Sequence, residues 1–438
     1  MVKLAQKRAE KPNAAISESC GSKAATKAAY RLLDNEDVKA EAIQAGHKTA
    51  TVGRSKGEKI ILAIQDTTQL DYTAHRSTKG LGYLQDLKHQ GMLVHTTLAV
   101  NPGRVVMGVI QQQMWIRPIE DYGKRHKRCE RKIEEKESNK WLVSLEAAHE
   151  LQRELPDTLV VSVGDSEADV YDLFLKAKSL SQNLLVRASW NRNVEHEEKH
   201  LWERVANQPI SGEITIEIPR RAGKKARKAD LTVRHDLVTI KPPRSRRAEK
   251  LGNIQIWAVL ICEEAPPEGE EAIEWLLLTT VAVESFEDAC ERISWYTCRW
   301  IIETYHKVLK SGCRVEERQF ADLENLQRYL ALDAIVAWRV LYLTMVGRES
   351  PDLPCTIILE IHEWQALYGF IHKTNQMPQT TPTIRQATLW IAQLGGFLGR
   401  KADGNPGPIV IWRGLHNLTY IVESWLIFHP EQNKCGYG

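Results

Sequence analysis

Two constellations in the 438-residue chain could do chemistry. In NVEHEEKHLWERV, residues 193–205, His196, Glu197 and His200 spell HExxH, the spacing in which two helical histidines hold zinc and the glutamate activates water. The second constellation is acidic. Asp66 closes the apolar run KIILAIQD, Asp165 closes DTLVVSVGD, and Glu303 lies within SFEDACERISWYTCRWIIETYHKVLKSG, which reads as a long helix stopped at Gly312. Hard divalent cations such as Mg²⁺ take oxygen ligands, and two of them about 4 Å apart can activate an attacking oxygen and stabilise a leaving one in phosphoryl transfer. Zinc at HExxH needs a packed helix and a third ligand. The flanking sequence is highly charged and lacks a downstream Gly and His pattern to supply that ligand. His196 and His200 are therefore expected as surface residues on a short helix, and a zinc metallopeptidase is the remote alternative.

The elements that must position the acids can be read from periodicity. GSKAATKAAYRLLDNEDVKAEAIQAG (21–46) predicts two short helices broken near Asn35. KIILAIQD is a strand, and MLVHTTLAV and VVMGVIQQQMWI flank NPGR as a β-hairpin. A helix near Trp141 to Leu151, the strand DTLVVSVGD, a helix over SEADVYDLFLKAK with Ser166 and Glu167 in its first turn, and the strand NLLVRAS follow. This order gives a mixed sheet with helices, and ligands of such open sheets collect beyond the carboxyl ends of strands, where Asp66 and Asp165 are expected. From about 190 to 282 short strands (EITIEIP, ADLTVRH, IQIWAVLIC, EWLLLTTVAV) predict a β-rich insertion. On the following helix Tyr296, Arg299, Glu303 and Lys310 fall within roughly a 60° arc at 100° per residue.

Net charge is only +3, from 59 Lys and Arg against 56 Asp and Glu, so a polyanionic partner must be argued from local charge. Between Arg220 and Lys250 twelve Lys or Arg face three acids, a patch that suits a phosphate backbone or a solvated hairpin loop. The opening residues MVKLAQKRAEKPNAA lack the apolar core of a signal peptide, and no window has about 18 uninterrupted apolar residues. The eight cysteines form no CxxC pair, so neither a zinc ribbon nor a dithiol site is indicated, and reduced thiols in a cytoplasm are expected.

Tyr296-x2-Arg299-x3-Glu303-x6-Lys310 resembles the YREK signature of bacterial DDE transposases of the insertion-sequence-four family, transposon-five type. GSKAATKAAYRLL, LAIQDTTQLDY, EKESNKWL, GDSEADVYDLF, EWLLLTT, LGGFLGRK and GPIVIWRGL are similar to the same family, in the same order. The resemblance implies an α/β fold: an RNase H-like mixed-sheet catalytic core interrupted by a β-rich insertion, with helical N-terminal and C-terminal regions. The implied regions are 1–55 (DNA-binding), 56–190 and 283–347 (core), 191–282 (insertion) and 348–438 (dimerisation). It further implies cut-and-paste transposition of double-stranded DNA: hydrolytic nicking at transposon ends, hairpin formation by the freed 3′-hydroxyl, hairpin opening, and strand transfer by a homodimer in the synapse, with no membrane involved. Asp66, Asp165 and Glu303 match the metal-binding triad, for two Mg²⁺ ions that Mn²⁺ can replace. Tyr296, Arg299 and Arg187 are expected at phosphate, Lys310 at DNA, and Trp275 stacked on a flipped base; an ordinary core tryptophan is the other reading of Trp275. Only about twenty residues precede the helix SKAATKAAYRLL, so a truncated, non-catalytic partner that inhibits a full-length transposase is the rival expectation.

Overall fold

The computed structural model describes residues 2–123, 132–218, 227–400 and 403–430. Four helices come first: α1 (Val2–Glu10), α2 (Ile16–Cys20), α3 (Lys23–Leu33) and α4 (Ala40–Ser55). The Ser22 hydroxyl accepts from the Ala25 amide and so starts α3.

The core strands are β1 (Ile60–Asp71), β2 (Gly82–Tyr83), β3 (Gln90–Val100), β4 (Val106–Trp115), β5 (Leu159–Gly164) and β6 (Asn183–Arg187). Helix α5 (Asn139–Glu154) precedes β5, and α6 (Tyr171–Leu180) precedes β6. β1 pairs antiparallel with β3 and parallel with β5, β3 pairs antiparallel with β4, and β5 pairs parallel with β6. This is the RNase H-like mixed sheet. After α7 (Leu201–Ala206), strands β7 (Gly212–Ile218), β8 (Arg227–Ile240), β9 (Ile254–Cys262) and β10 (Glu274–Thr279) extend that same sheet, because β10 docks antiparallel on the free edge of β6, with Leu277 opposite Arg187. The sheet thus runs β2-β3-β1-β5-β6-β10-β9-β8-β7, with β4 on β3.

Strand alternation sends the two faces of β1 into different cores. Leu62 and Ile64 pack with Tyr305 and Val308, whereas Ile61 and Ala63 pack with Ala147, Ala148 and Leu151 of α5. The first face is covered by α8 (Phe286–Thr297) and α9 (Ile301–Lys307), and Asp66 shares its parity. A Ser285–Asp288 capping box starts α8.

Three local expectations need correction. β1 does not end at Asp66 but continues to Asp71, because β3 pairs with it residue for residue as far as Gly91. The segment after Asp165 is a separate 3₁₀ turn, Ser166–Ala168, and α6 begins only at Tyr171. The stretch after Ser285 is not one uniform helix. A 3₁₀ turn (Cys298–Trp300) sits between α8 and α9, and a π-wound turn (Val308–Gly312) follows, so a constant 100° step does not hold along it.

Helix α10 (Leu323–Glu349) is long and apolar enough to cross a membrane by length and composition, but 72% of its apolar window is buried inside the protein. It is a core helix, followed by α11 (Ile361–His372), α12 (Ile384–Leu394) and α13 (Pro408–Phe428). Of the basic patch expected between Arg220 and Lys250, Arg220, Arg221, Lys224 and Lys225 lie outside the described residues; Arg227 and Arg246 within it are already paired, with Glu263 and with Asp172 and Glu249.

Candidate active site

The site begins where two strands part. The parallel ladder between β1 and β5 ends at Ile64 opposite Val163, and Asp66 and Asp165 each lie two residues further on. Beyond that point β1 stays with β3 while the chain after β5 turns away, which opens a crevice at the carboxyl end of the parallel pair. Gly164 permits the sharp turn, since a Cβ there would stand 2.5 Å from that of Ala168. The turn is held by Asp165 itself, whose Oδ1 accepts from the Glu167 amide at 2.9 Å. Asp66 Oδ1 accepts from the Thr67 amide at 2.8 Å.

Glu303 enters from the first turn of α9, its side chain 58% exposed, and accepts from Arg299 Nη2 at 2.8 Å. The electrostatics join these groups. Burial pushes the Asp66 carboxyl up to about 6, with the charges of Asp165 and Glu303 adding to the shift and the Thr67 amide and Arg299 opposing it. Asp165 is raised by burial and by Glu167, against its hydrogen bond from the Glu167 amide and the charges of Arg299 and Lys140. Burial works against the Arg299 charge, but Glu303, Tyr296 and Asp66 outweigh it and hold the guanidinium above its ordinary range. Asp66 thus feels both other carboxylates, Arg299 acts on Asp66 and Asp165 and bonds Glu303, and Lys140 adds a second cation beside Asp165.

Among the described residues no three His, Cys, Asp or Glu side chains already stand close enough together to grip a metal ion. Glu303 is turned onto Arg299. Asp66 and Asp165 are hard oxygen donors, and the raised Asp66 is a carboxyl whose charge the protein alone does not offset. That donor set fits a hard divalent cation and not zinc, which prefers nitrogen and sulfur.

The DNA-contact candidates divide. Tyr296 is buried, its hydroxyl raised by burial and lowered by Arg299 and Arg187, so Arg187, at the end of β6, reaches the same centre. Trp275 on β10 is half-buried against the main core and meets the rings of Tyr296 at 5.9 Å and Trp300 at 6.4 Å, both edge-on. Lys310 does not join the group. The π turn carries it to Glu316, at 3.6 Å, and its charge acts on Asp71 at the far end of β1.

Sequence reasoning passed over Lys140, which pairs with Glu167 at 3.2 Å and lowers Asp165, although it sits in the quoted EKESNKWL. It also passed over Trp300 and over His95, a polar residue inside the apolar run MLVHTTLAV and fully buried in β3. A buried polar group must be partnered, and that was the available signal.

HExxH is not on a helix. His196 lies in a turn and His200 immediately precedes α7, because Val194 bridges Ile240 and draws the segment along β8 as a loop. Both histidines are exposed, and His196 bonds the Glu198 carboxylate, which also pairs with Arg204. No zinc site forms there among the described residues.

The sheet is RNase H-like, with Asp66 and Asp165 beyond the ends of its parallel strands, and comparison with known proteins bears on its type. Residues 1–38 match the transposase DNA-binding family, 144–339 the transposase DDE domain, and 335–428 the transposase Tn5 dimerisation domain. These successive matches support a DDE transposase that binds DNA and dimerises. The DDE match contains Asp165 and Glu303, while Asp66 precedes it. Among solved structures, a cryo-EM structure of piggyBac transposase synaptic complex with hairpin DNA is similar over 67% of this chain and 48% of that one, at 10% identity and a TM-score of 0.31. The match thus spans about half of that chain.

Proposed function

We propose that the chain is a cut-and-paste DNA transposase of the insertion-sequence-four, transposon-five type, working in the cytoplasm on its element's ends and on target DNA as a homodimer. The observation that carries this reading is the placement of Asp66 and Asp165 two residues beyond the end of the β1–β5 ladder, with Glu303 of α9 bonded to Arg299, whose charge acts on both. The domain division 1–55, 56–190 with 283–347, 191–282 and 348–438 is part of the same proposal.

Asp66, Asp165 and Glu303 would hold Mg²⁺, which Mn²⁺ can replace. When bound, divalent ions supply Lewis-acid activation of the attacking oxygen and offset charge on the leaving one. The chain's own groups place the DNA. Arg299, whose Nε is buried without a partner, and Arg187 present guanidinium groups for a phosphate beside the acids, and the Tyr296 hydroxyl, kept protonated by burial, can donate to it. Trp275, supported edge-on by Tyr296 and Trp300, offers a face for a base displaced from the duplex, with stacking worth about 1–3 kcal/mol. Lys310 extends the basic surface along the DNA. On this placement water nicks the end, the freed 3′-hydroxyl forms the hairpin, water reopens it, and the 3′-hydroxyl then attacks target DNA.

The test is cleavage of a duplex carrying the element's terminal repeat. Nicking that requires Mg²⁺ or Mn²⁺ and disappears in Asp165→Asn is expected; full cleavage by that variant, or no specific binding of the repeat, overturns the proposal. Trp275→Ala should spare the first nick and slow hairpin formation, read as separate bands on a denaturing gel. Equal loss at both steps would show a folding defect instead.

A further inference from the structure

On the face of β1 turned away from the acids lies a line of hydrogen-bonded side chains that the proposed chemistry leaves unused. Thr67 Oγ1 stands 2.9 Å from His95 Nδ1, His95 Nε2 stands 3.2 Å from Gln65 Oε1, and Gln65 Nε2 donates to Ser162 Oγ at 2.6 Å. Gln65, His95 and Ser162 are all but inaccessible, at 1%, 0% and 2% exposure. With the Gln65 amide nitrogen spent on Ser162, its oxygen must accept, so His95 carries its proton on Nε2. Nδ1 is then left to accept from the Thr67 hydroxyl. The Trp141 ring meets the imidazole edge-on at 4.8 Å and closes the far side. Burial, with the charge of Lys140, keeps the imidazole neutral.

The location of this line gives it a task. Gln65 and Thr67 are the two neighbours of Asp66, and Ser162 precedes Asp165 by three residues. The β1–β5 ladder stops at Ile64 opposite Val163, so no ladder bond fixes how far Asp66 stands from the turn that carries Asp165. The Gln65–Ser162 bond spans that gap from β1 to β5, and His95 ties Gln65 and Thr67 to β3. Thr67 also supplies the amide that holds Asp66 Oδ1. A fully connected polar line in a strand otherwise buried among apolar side chains specifies one geometry where an apolar core would tolerate several.

We propose that His95 is a positioning residue that, through Gln65 and Thr67, fixes Asp66 relative to Asp165 so that the two carboxylates accept a divalent cation. The inference rests on the proposed function only in assigning the cation to these acids.

The test is Mn²⁺ affinity of the full chain, measured from free Mn²⁺ by electron paramagnetic resonance, without DNA. In His95→Leu the Mn²⁺ dissociation constant should rise about tenfold, in the range found when partners of metal ligands are removed. Thr67→Val, which removes one hydroxyl at a half-buried position, should weaken binding in the same direction with the fold retained. His95→Asn, which keeps an acceptor for the Thr67 hydroxyl, should recover part of the loss. Imidazole ¹⁵N shifts of the wild type should show the Nε2–H form. Wild-type Mn²⁺ affinity in folded His95→Leu and Thr67→Val, or an Nδ1–H tautomer, overturns the inference. Asp66→Asn separates the two readings. If it loses Mn²⁺ while the His95 and Thr67 variants do not, only the positioning role fails. If it binds as the wild type does, the metal assignment fails and takes the positioning role with it. If the wild type binds Mn²⁺ but never nicks DNA, the proposed function fails and the positioning role stands.

Discussion

The molecule contains two charged constellations built from similar residues and put together on opposite principles. Between α1 and α10, Arg8 meets Asp333 through two bonds of 3.1 Å, both side chains wholly buried. The rest of the Arg8 fork donates to the carbonyls of Lys11, Pro12 and Ala14 and to Ser19 Oγ. One cation meets one anion, and every donor is used. At the crevice Asp66, Asp165 and Glu303 share Arg299, with Lys140, itself paired with Glu167, acting on Asp165; Asp66 is still raised to about 6, and Arg299 Nε has no partner. Matched charge fastens the N-terminal helices to the core; unmatched charge waits for something to complete it. Buried ionic groups thus need not mean the same thing, and the count of charges against donors separates a structural lock from a site.

The sharpest way to break this contrast is to remove a charge from each. Asp66→Asn and Glu303→Gln should lower the nicking rate by ~10³-fold or more, several kcal/mol of lost transition-state stabilisation, with folding intact by circular dichroism. Arg8→Ala should do the reverse. It leaves Asp333 buried and unpaired, at a cost of about 3–5 kcal/mol in urea unfolding, and the Arg8→Met, Asp333→Leu pair should regain most of that. Arg8→Ala with unchanged stability would erase the distinction.

The pH dependence sharpens the contrast from the other side. Asp66 holds its proton more tightly in the folded chain than in the unfolded one, so its contribution to stability is whole below its ordinary value of 3.8 and is lost as pH rises through about 6. Asp66→Asn should match the wild type in acid and exceed it at neutral pH, by up to about 3 kcal/mol, in urea titrations across that range. Mg²⁺ should narrow the difference by stabilising only the wild type. A variant less stable than the wild type at neutral pH would show that the carboxyl is already satisfied. The smallest effect belongs to the exposed histidines: His196→Ala with His200→Ala should change neither nicking nor melting.

How far the sequence carried this account differs between the two ends of the argument. The apolar runs before Asp66 and Asp165 are legible because buried parallel strands need unbroken hydrophobic residues. The length of β1 was not legible, since pairing with a strand about thirty residues later decides it. Nor was the union of the insertion with the core sheet, which depends on β10 finding the open edge of β6. The uniform winding assumed for the arc from Tyr296 to Lys310 fails, because 3₁₀ and π turns interrupt it and Lys310 pairs with Glu316. The line through His95 stayed hidden because its members come from three strands and only folding aligns them. The Arg8–Asp333 pair, 325 residues apart, was hidden for the same reason.

The central claim is that the unmatched acids at the crevice gather a divalent cation, and anomalous scattering from crystals grown with Mn²⁺ tests it most directly. The account predicts a manganese peak between Asp66 and Asp165, with Glu303 turned from Arg299 towards it, and no such peak in Asp66→Asn crystals. An empty crevice in the wild type, with manganese only at scattered surface carboxylates, would contradict it.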